Sequence, residues 1–99
     1  MQQLSVKQRQ YLKGLAHDLQ AVVMIGNNGL TPAVLKEIEV NLAAHELIKI
    51  RVLGDEREAR QALIEQICQA SQASFVQHIG KLLILYRPRN PAKISLPAR

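Results

Sequence analysis

The sequence predicts a single α/β domain in which three helices flank a four-stranded mixed sheet. Segments with apolar residues at helical spacing alternate with short apolar runs rich in β-branched residues. Glycines end several of these runs, and the last two runs are separated by two residues only. A length of 99 residues with 47% hydrophobic side chains suits one compact domain. The predicted order is helix, strand, helix, strand, helix, strand, strand.

The first helix begins at a predicted capping box, in which Ser5 is followed three residues later by Gln8. Apolar side chains then recur at helical spacing and predict one buried stripe. We expect this helix to cover part of one face of the sheet. The predicted stripe consists of Leu12, Leu15, Ala16 and Leu19.

The first strand is predicted from the continuous apolar run 21–25, which indicates a central strand buried on both faces. A Gly-Asn-Asn-Gly turn at residues 26–29 follows it. Thr31 is a favourable N-cap and Pro32 suits the first helical position. We therefore predict a second helix that runs to about Glu46.

The second strand is predicted over residues 47–53, with Lys49 and Arg51 on one face, which is at least partly open to solvent. Asp55, followed three residues later by Glu58, predicts a capped start for the third helix. That helix is expected to fade near residues 71–73. Its predicted inner side consists of Ala59, Ala62, Leu63, Gln66 and Ile67.

The last two strands, 74–79 and 82–86, are joined by Gly-Lys alone and predict a tight antiparallel hairpin. If both strand–helix–strand crossovers run the same way, the second and third helices share one face of the sheet. Prolines punctuate the remaining residues and predict an extended, mobile tail. We divide the chain into a domain over 1–87 and a basic tail over 88–99.

The charge is unevenly distributed along the chain. The net charge of +5 comprises +3 in residues 1–17, −2 in residues 18–86 and +4 in residues 87–99, and neither end contains an acid. Two basic ends predict a polyanion-binding surface if they lie on one face. The alternatives are that the charge only keeps the protein soluble, or that it binds an anionic membrane surface.

Cysteine content and apolar stretches indicate the compartment. Cys68 is the only cysteine in the sequence, so the chain has no internal disulfide and no paired-cysteine metal or redox motif. We expect Cys68 to be a small core residue and the protein to be cytoplasmic. The N-terminal residues lack the pattern of a signal peptide, and no apolar stretch is long enough to span a bilayer.

The Gly-Asn-Asn-Gly turn is the first candidate site. A strand that ends in a glycine turn before a helix presents free main-chain N–H groups and the positive end of the helix dipole to an anion. Two glycines allow a phosphodiester backbone to approach closely, by the logic of the KH-domain loop. The alternative is an ordinary connection whose glycines satisfy turn geometry. Neither a Walker A lysine nor a dinucleotide-binding spacing is present.

The titratable side chains form no catalytic or metal-binding pattern. We interpret all three histidines as structural, two of them near helix C-termini. We interpret Glu37, Glu39 and Glu46 as a solvated helix face. The three histidines are His17, His45 and His78.

Several segments together resemble the CRM domain family, and more narrowly its stand-alone bacterial YhbY-type members. The resemblance implies RNA binding, association with precursors of the large ribosomal subunit, and a fold similar to the C-terminal domain of bacterial translation initiation factor three. Many family members place Lys or Arg in the glycine loop, where this chain has Asn27. The segments that carry the resemblance are 7–9, 15–17, 23–31, 44–49, 76–81 and 85–88.

We therefore predict an RNA-binding ribosome assembly factor that is monomeric and is not an enzyme. It is expected to need no cofactor or metal and to bind no membrane or small-molecule substrate. The alternative is a protein-interaction module that reaches ribosomal particles through a protein partner. The predicted RNA contacts are Lys7, Arg9, Lys13, Gly26, Asn27, Asn28, Gly29, Lys81, Arg87 and Arg89.

Overall fold

The computed structural model describes residues 3–99, so the first two residues of the predicted domain lie outside the described part. The order of elements is the predicted one. No helix within the described residues has the length and apolar character needed to cross a membrane. The elements are α1 (Val6–Ala16), β1 (Ala21–Ile25), α2 (Pro32–His45), β2 (Leu47–Val52), α3 (Arg57–Ser71), β3 (Ser74–Ile79) and β4 (Leu82–Tyr86).

The four strands form one mixed sheet in the order β1-β2-β4-β3. β1 and β2 are parallel, whereas β4 is antiparallel to both of its neighbours. Helices α2 and α3 share one face, where Ile38 and Ile67 pack on Ile50 and Leu83. Helix α1 packs on the opposite face. The predicted mixed sheet, the hairpin and the shared face of α2 and α3 are therefore confirmed.

Two of the three predicted helix caps are confirmed. Ser5 Oγ accepts from Gln8 N at 3.1 Å, and Gln8 Oε1 accepts from Ser5 N at 3.1 Å. Thr31 Oγ1 accepts a hydrogen bond from Val34 N at 3.2 Å. Both helices therefore begin where side-chain oxygens satisfy main-chain donors of the first turn.

The predicted cap of α3 is wrong. The N-cap is Glu56, which makes no side-chain capping bond. The Asp55 carboxylate instead lies 3.0 Å from Lys81 Nζ, at the tip of the β3–β4 hairpin. Asp55 therefore joins two loops rather than starting a helix.

The prediction that β1 is central and buried on both faces is also wrong. β1 is an edge strand, hydrogen-bonded to β2 alone, and α1 packs mainly against the other three strands. Val22 and Met24 are therefore 41% and 58% exposed. The α1 stripe is narrower than predicted, because Leu15 is exposed and Leu19, also exposed, lies beyond the end of the helix at Ala16.

The predicted solvated face of α2 is corrected at its C-terminus. Glu46 lies beyond the last helical residue with a φ of 65° and is completely buried. Its carboxylate accepts hydrogen bonds from three main-chain N–H groups of the C-terminal tail. These donors are Arg89 at 3.3 Å, Lys93 at 2.6 Å and Ile94 at 2.9 Å.

The tail is packed, which corrects the prediction of a mobile segment. Ile94 and Leu96 pack against the apolar cluster under α1, which includes Leu12 and Tyr86. Gln8 Nε2 also donates to the carbonyl oxygen of Pro97 at 3.0 Å. The end of the tail and α1 thus lie together on one face of the sheet. The division at residue 87 stays a prediction.

Candidate nucleic-acid interface

The Gly-Asn-Asn-Gly loop is a tight turn at the carboxyl end of β1. Gly29 N donates to the carbonyl oxygen of Gly26 at 3.1 Å, and Thr31 N donates to that of Gly29 at 3.0 Å. Gly29 alone in this turn has a positive φ, of 68°, in the left-handed region that favours glycine. Asn27 and Asn28 are exposed, with no hydrogen-bond partner seen for their amides among residues 3–99. The loop therefore presents two amides to solvent.

Three loops meet at this end of the sheet. Leu53 N donates to the carbonyl oxygen of Ile25 at 2.8 Å, which ties the end of β1 to the segment after β2. Val52 N donates to the carbonyl oxygen of Lys81 at 2.8 Å, which ties the end of β2 to the hairpin tip. The Lys81 ammonium beside Asp55 holds the pKa of that carboxyl below its ordinary value. Lys81 thus lies at the loop end of the sheet, but with an acidic partner.

A cleft of about 440 Å³ separates the glycine loop from α3. Its loop wall is formed by Gly26, Asn27 and Gly29, and its floor includes Val52 and Leu63. Three residues predicted to lie on the inner side of α3 form the helix wall. They are exposed, because no described element packs opposite them. These residues are Ala59, Ala62 and Gln66.

A second depression, of about 740 Å³, runs between α1 and α3 over the β3 edge of the sheet. Arg9 and Lys13 line it from α1, and Arg57 lines it from the first turn of α3. Glu65 is the acidic residue in its lining. Arg9 Nε is buried without a hydrogen-bond partner among the described residues. We call this depression, with its three cations, the basic groove.

The cations of α1 are free of acidic partners in the described part of the chain, where the ion pairs are Lys81–Asp55 and Arg87–Glu39. Lys7 is exposed on α1 but does not line the basic groove. The predicted acid-free helix therefore does present positive charge that protein groups do not neutralise.

The two predicted arginines after β4 lie at the opposite end of the sheet from the glycine loop. Arg87 Nη1 is 2.7 Å from Glu39 Oε2 and donates to the carbonyl oxygen of Ser71 at 2.9 Å. Arg89 Nη1 donates to the carbonyl oxygen of Ala44 at 3.2 Å. Arg87 thus joins the middle of α2 to the last residue of α3, and Arg89 contacts the last turn of α2. The structure does not bring either side chain to the loop.

The cleft and the basic groove are separated only by the first turns of α3. Glu56 and Arg60 line the cleft, whereas Arg57 and Gln61 line the groove. The sequence pattern does not single out Arg57, because this residue stands between two acids and lacks the single-sign charge of α1. Arg57 lines the same depression as Arg9 and Lys13 only in the folded structure, where α1 and α3 both lie beside β3.

His78 and Cys68 have the environments of structural residues. His78 Nε2 lies 3.1 Å from Arg60 Nε, and burial, with the charges of Arg57 and Arg60, lowers the pKa of the imidazole. Cys68 is buried, and this burial raises the pKa of its thiol. Within residues 3–99, no three His, Cys, Asp or Glu side chains are grouped so that they could hold a metal ion.

Several bacterial proteins are similar to this chain over most of its length. A model of the CRS1 / YhbY (CRM) domain family matches residues 4–87. The chain is 54% identical over 99 residues to a Haemophilus influenzae protein named RNA-binding protein, and all of both chains is covered. It is 41% identical over 88 residues to Pseudomonas aeruginosa PA4753, named a probable RNA-binding protein, covering 89% of this chain and 84% of the relative.

A solved structure shares this fold. The solution structure of SAV1595 from Staphylococcus aureus, itself a candidate RNA-binding protein, superposes with a TM-score of 0.84 at 33% sequence identity. The superposition covers 96% of this chain and 100% of that one. The similarity therefore extends over nearly the whole chain and is not confined to the glycine loop.

Proposed function

Because the chain belongs to the CRS1 / YhbY (CRM) domain family, we propose that it binds RNA. Its relatives from Haemophilus influenzae and Pseudomonas aeruginosa are named as RNA-binding proteins. The particular residues of the proposal come from the basic groove. Arg9, Lys13 and Arg57 line this open depression, and none of them forms an ion pair among the described residues. Such cations release condensed counterions when they meet phosphates.

The glycine loop is the second part of the proposed interface. Gly26 and Gly29 allow a sugar-phosphate backbone to approach the main chain, and the exposed amides of Asn27 and Asn28 donate to it. Lys7 and Lys81 add charge on α1 and at the hairpin tip. Contacts of Arg87 and Arg89 with RNA remain a prediction from the sequence, since both side chains already hold helix ends.

The proposed target is RNA of the large ribosomal subunit or its precursors, and the proposed role is in subunit assembly in the cytoplasm. This finer proposal rests on the resemblance to YhbY-type proteins. The protein acts as a monomer in this proposal, and it binds without catalysing a reaction. The alternative remains a module that reaches ribosomal particles through a protein partner.

Two binding measurements test the proposal. Purified protein is titrated against fragments of large-subunit ribosomal RNA and against tRNA over a series of salt concentrations. We expect tighter binding to the ribosomal fragments and a logarithmic affinity that falls linearly with the logarithm of salt. Equal binding to tRNA would remove the proposed target, and absence of binding to any RNA would remove RNA binding itself and favour the protein-partner alternative.

A further inference from the structure

We propose that the cleft between the glycine loop and α3 takes one unstacked nucleobase of single-stranded RNA, while the phosphate next to that base contacts the loop. This inference rests on the proposed function and assigns it a base-binding site. The cleft directly adjoins the loop, because Gly26, Asn27 and Gly29 form one of its walls. It is chemically distinct from the basic groove, because its floor and much of its helix wall are apolar.

The helix wall of the cleft carries small side chains that leave space for a ligand. Ala59 and Ala62 lie three residues apart on α3, at positions whose spacing predicts burial, yet both are exposed. Leu63, next to them, is buried in the core that α2 and α3 share with the sheet. Two methyl side chains above a closed core form a shallow apolar wall, against which the face of a flat base can pack and leave water.

The size of the cleft fits this ligand. Its volume of about 440 Å³ lies within the range of small-molecule sites, roughly 300–1,000 Å³. Val52 and Leu63 are nearly inaccessible to solvent and close the floor. A base inserted there exchanges water for apolar contact on its faces, as happens on the aromatic platforms of other RNA-binding proteins. The sheet of this protein has no such platform, since Tyr86 is buried and Phe75 packs against the core.

The polar groups of the cleft orient a nucleotide. Asn27 on the loop wall and Gln66 on the helix wall carry amides that both donate and accept. Asp55 and Glu56 lie in the third wall, after β2, and the Asp55 carboxylate also contacts Lys81 at 3.0 Å. Carboxylates repel phosphates but accept hydrogen bonds from base amino groups. The phosphate is therefore directed to the glycine loop, and the edge of the base to the acidic wall.

That third wall is held in place by a buried arginine. Arg60 is 7% exposed, and its Nη1 donates to the carbonyl oxygen of Gly54 at 3.1 Å. Its Nε also contacts His78 on β3 at 3.1 Å. Since both contacts join α3 to neighbouring strands or loops, the cleft is already formed before any RNA binds, which favours selective binding.

The test fills the cleft without adding charge. Ala62→Leu places a larger side chain on the wall, and Ala70→Leu makes the same change at an exposed position of α3 outside the cleft. The probes are a fluorescein-labelled 12-nucleotide single strand of mixed sequence and the same strand with all bases absent. We expect Ala62→Leu to weaken binding of the intact strand about tenfold, or about 1.4 kcal/mol at 25 °C, and to leave the abasic strand unaffected.

Wild-type protein and Ala70→Leu should both prefer the intact strand. Ala59→Leu provides a second filling variant, and circular dichroism with thermal unfolding shows whether each variant is folded. If folded Ala62→Leu or Ala59→Leu binds both strands as the wild type does, the base site is overturned while RNA binding stands. If the wild-type protein binds neither strand nor any other RNA, the proposed function fails, and the base site fails with it.

Discussion

The buried carboxylate of Glu46 accepts the main-chain N–H of Lys93 at 2.6 Å, across 47 residues of sequence. The same carboxylate also accepts from Arg89 and Ile94, so one side chain satisfies three donors of the tail. Glu46 N donates to the carbonyl oxygen of Leu42 and its own carbonyl oxygen accepts from Arg87 N, both at 2.9 Å. One residue at the end of α2 therefore fastens the tail to the domain.

We expect Glu46→Gln to destabilise the protein by roughly 1–3 kcal/mol, because a neutral amide accepts these bonds less strongly and its NH₂ group meets main-chain donors. The tail should detach first, which hydrogen exchange of residues 88–99 would detect as faster amide exchange. Glu37→Gln is the matched control, since Glu37 is an exposed residue of the same helix. Equal exchange in the two variants would contradict the fastening role.

Local signals of the sequence correctly predict the starts of α1 and α2 and the β3–β4 hairpin, but not the cap of α3. The capping pairs of α1 and α2 and the hairpin depend on residues within a few positions of one another, so their geometry is contained in short segments. The role of Glu46 depends on donors more than 40 residues away, and no helix-face pattern contains them. Asp55 likewise contacts Lys81, a distant residue, in place of the predicted cap.

The candidate site was predictable in part, for the same reason. The glycine loop and the acid-free α1 are contiguous in sequence and were found from it. A continuous apolar run does not reveal whether a strand has one neighbour or two, so the exposure of Met24 was missed. The periodicity of α3 predicts Ala62 as inward-facing but cannot show that nothing packs there. The cleft exists only in the assembled fold.

Lys13 lines the basic groove and Arg89 does not, so their substitutions should affect the salt dependence of RNA binding differently. Lys13→Gln should lower the magnitude of the slope of logarithmic affinity against logarithmic salt by about 0.7–0.9, the loss of one phosphate contact. Arg89→Gln should leave the slope near the wild-type value, because its guanidinium contacts the carbonyl oxygen of Ala44. Fluorescence anisotropy with single-stranded RNA at four salt concentrations measures both. A reduced slope for Arg89→Gln would support the sequence-based prediction that Arg89 contacts RNA.

The loop predicts a graded series at Gly29. Its φ of 68° lies in the left-handed region, so Gly29→Val should cost roughly 1–2 kcal/mol and distort the turn. Gly29→Asn should cost less, because Asn tolerates that conformation. A Cβ at this position meets no atom within 4 Å, so strain rather than a clash is responsible. Among variants shown to be folded by denaturation, we expect RNA affinity to decrease from Gly29 to Gly29→Asn to Gly29→Val. Equal affinities would remove the loop from the interface.

His78 predicts a loss of stability on the acidic side of neutrality. Burial, together with Arg57 and Arg60, lowers the pKa of its imidazole, so the folded protein binds this proton less readily than the unfolded chain does. The free energy of unfolding should therefore be fully retained above about pH 6.5 and should decrease as the pH falls below it. Urea unfolding at pH 7.5, 6.5 and 5.5 measures this dependence. His78→Gln keeps an acceptor for Arg60 and should weaken the pH dependence of the free energy of unfolding. His17→Gln, at an exposed position after α1, should leave this dependence unchanged. If the pH dependence is the same in His78→Gln as in the wild type, another group causes the loss of stability.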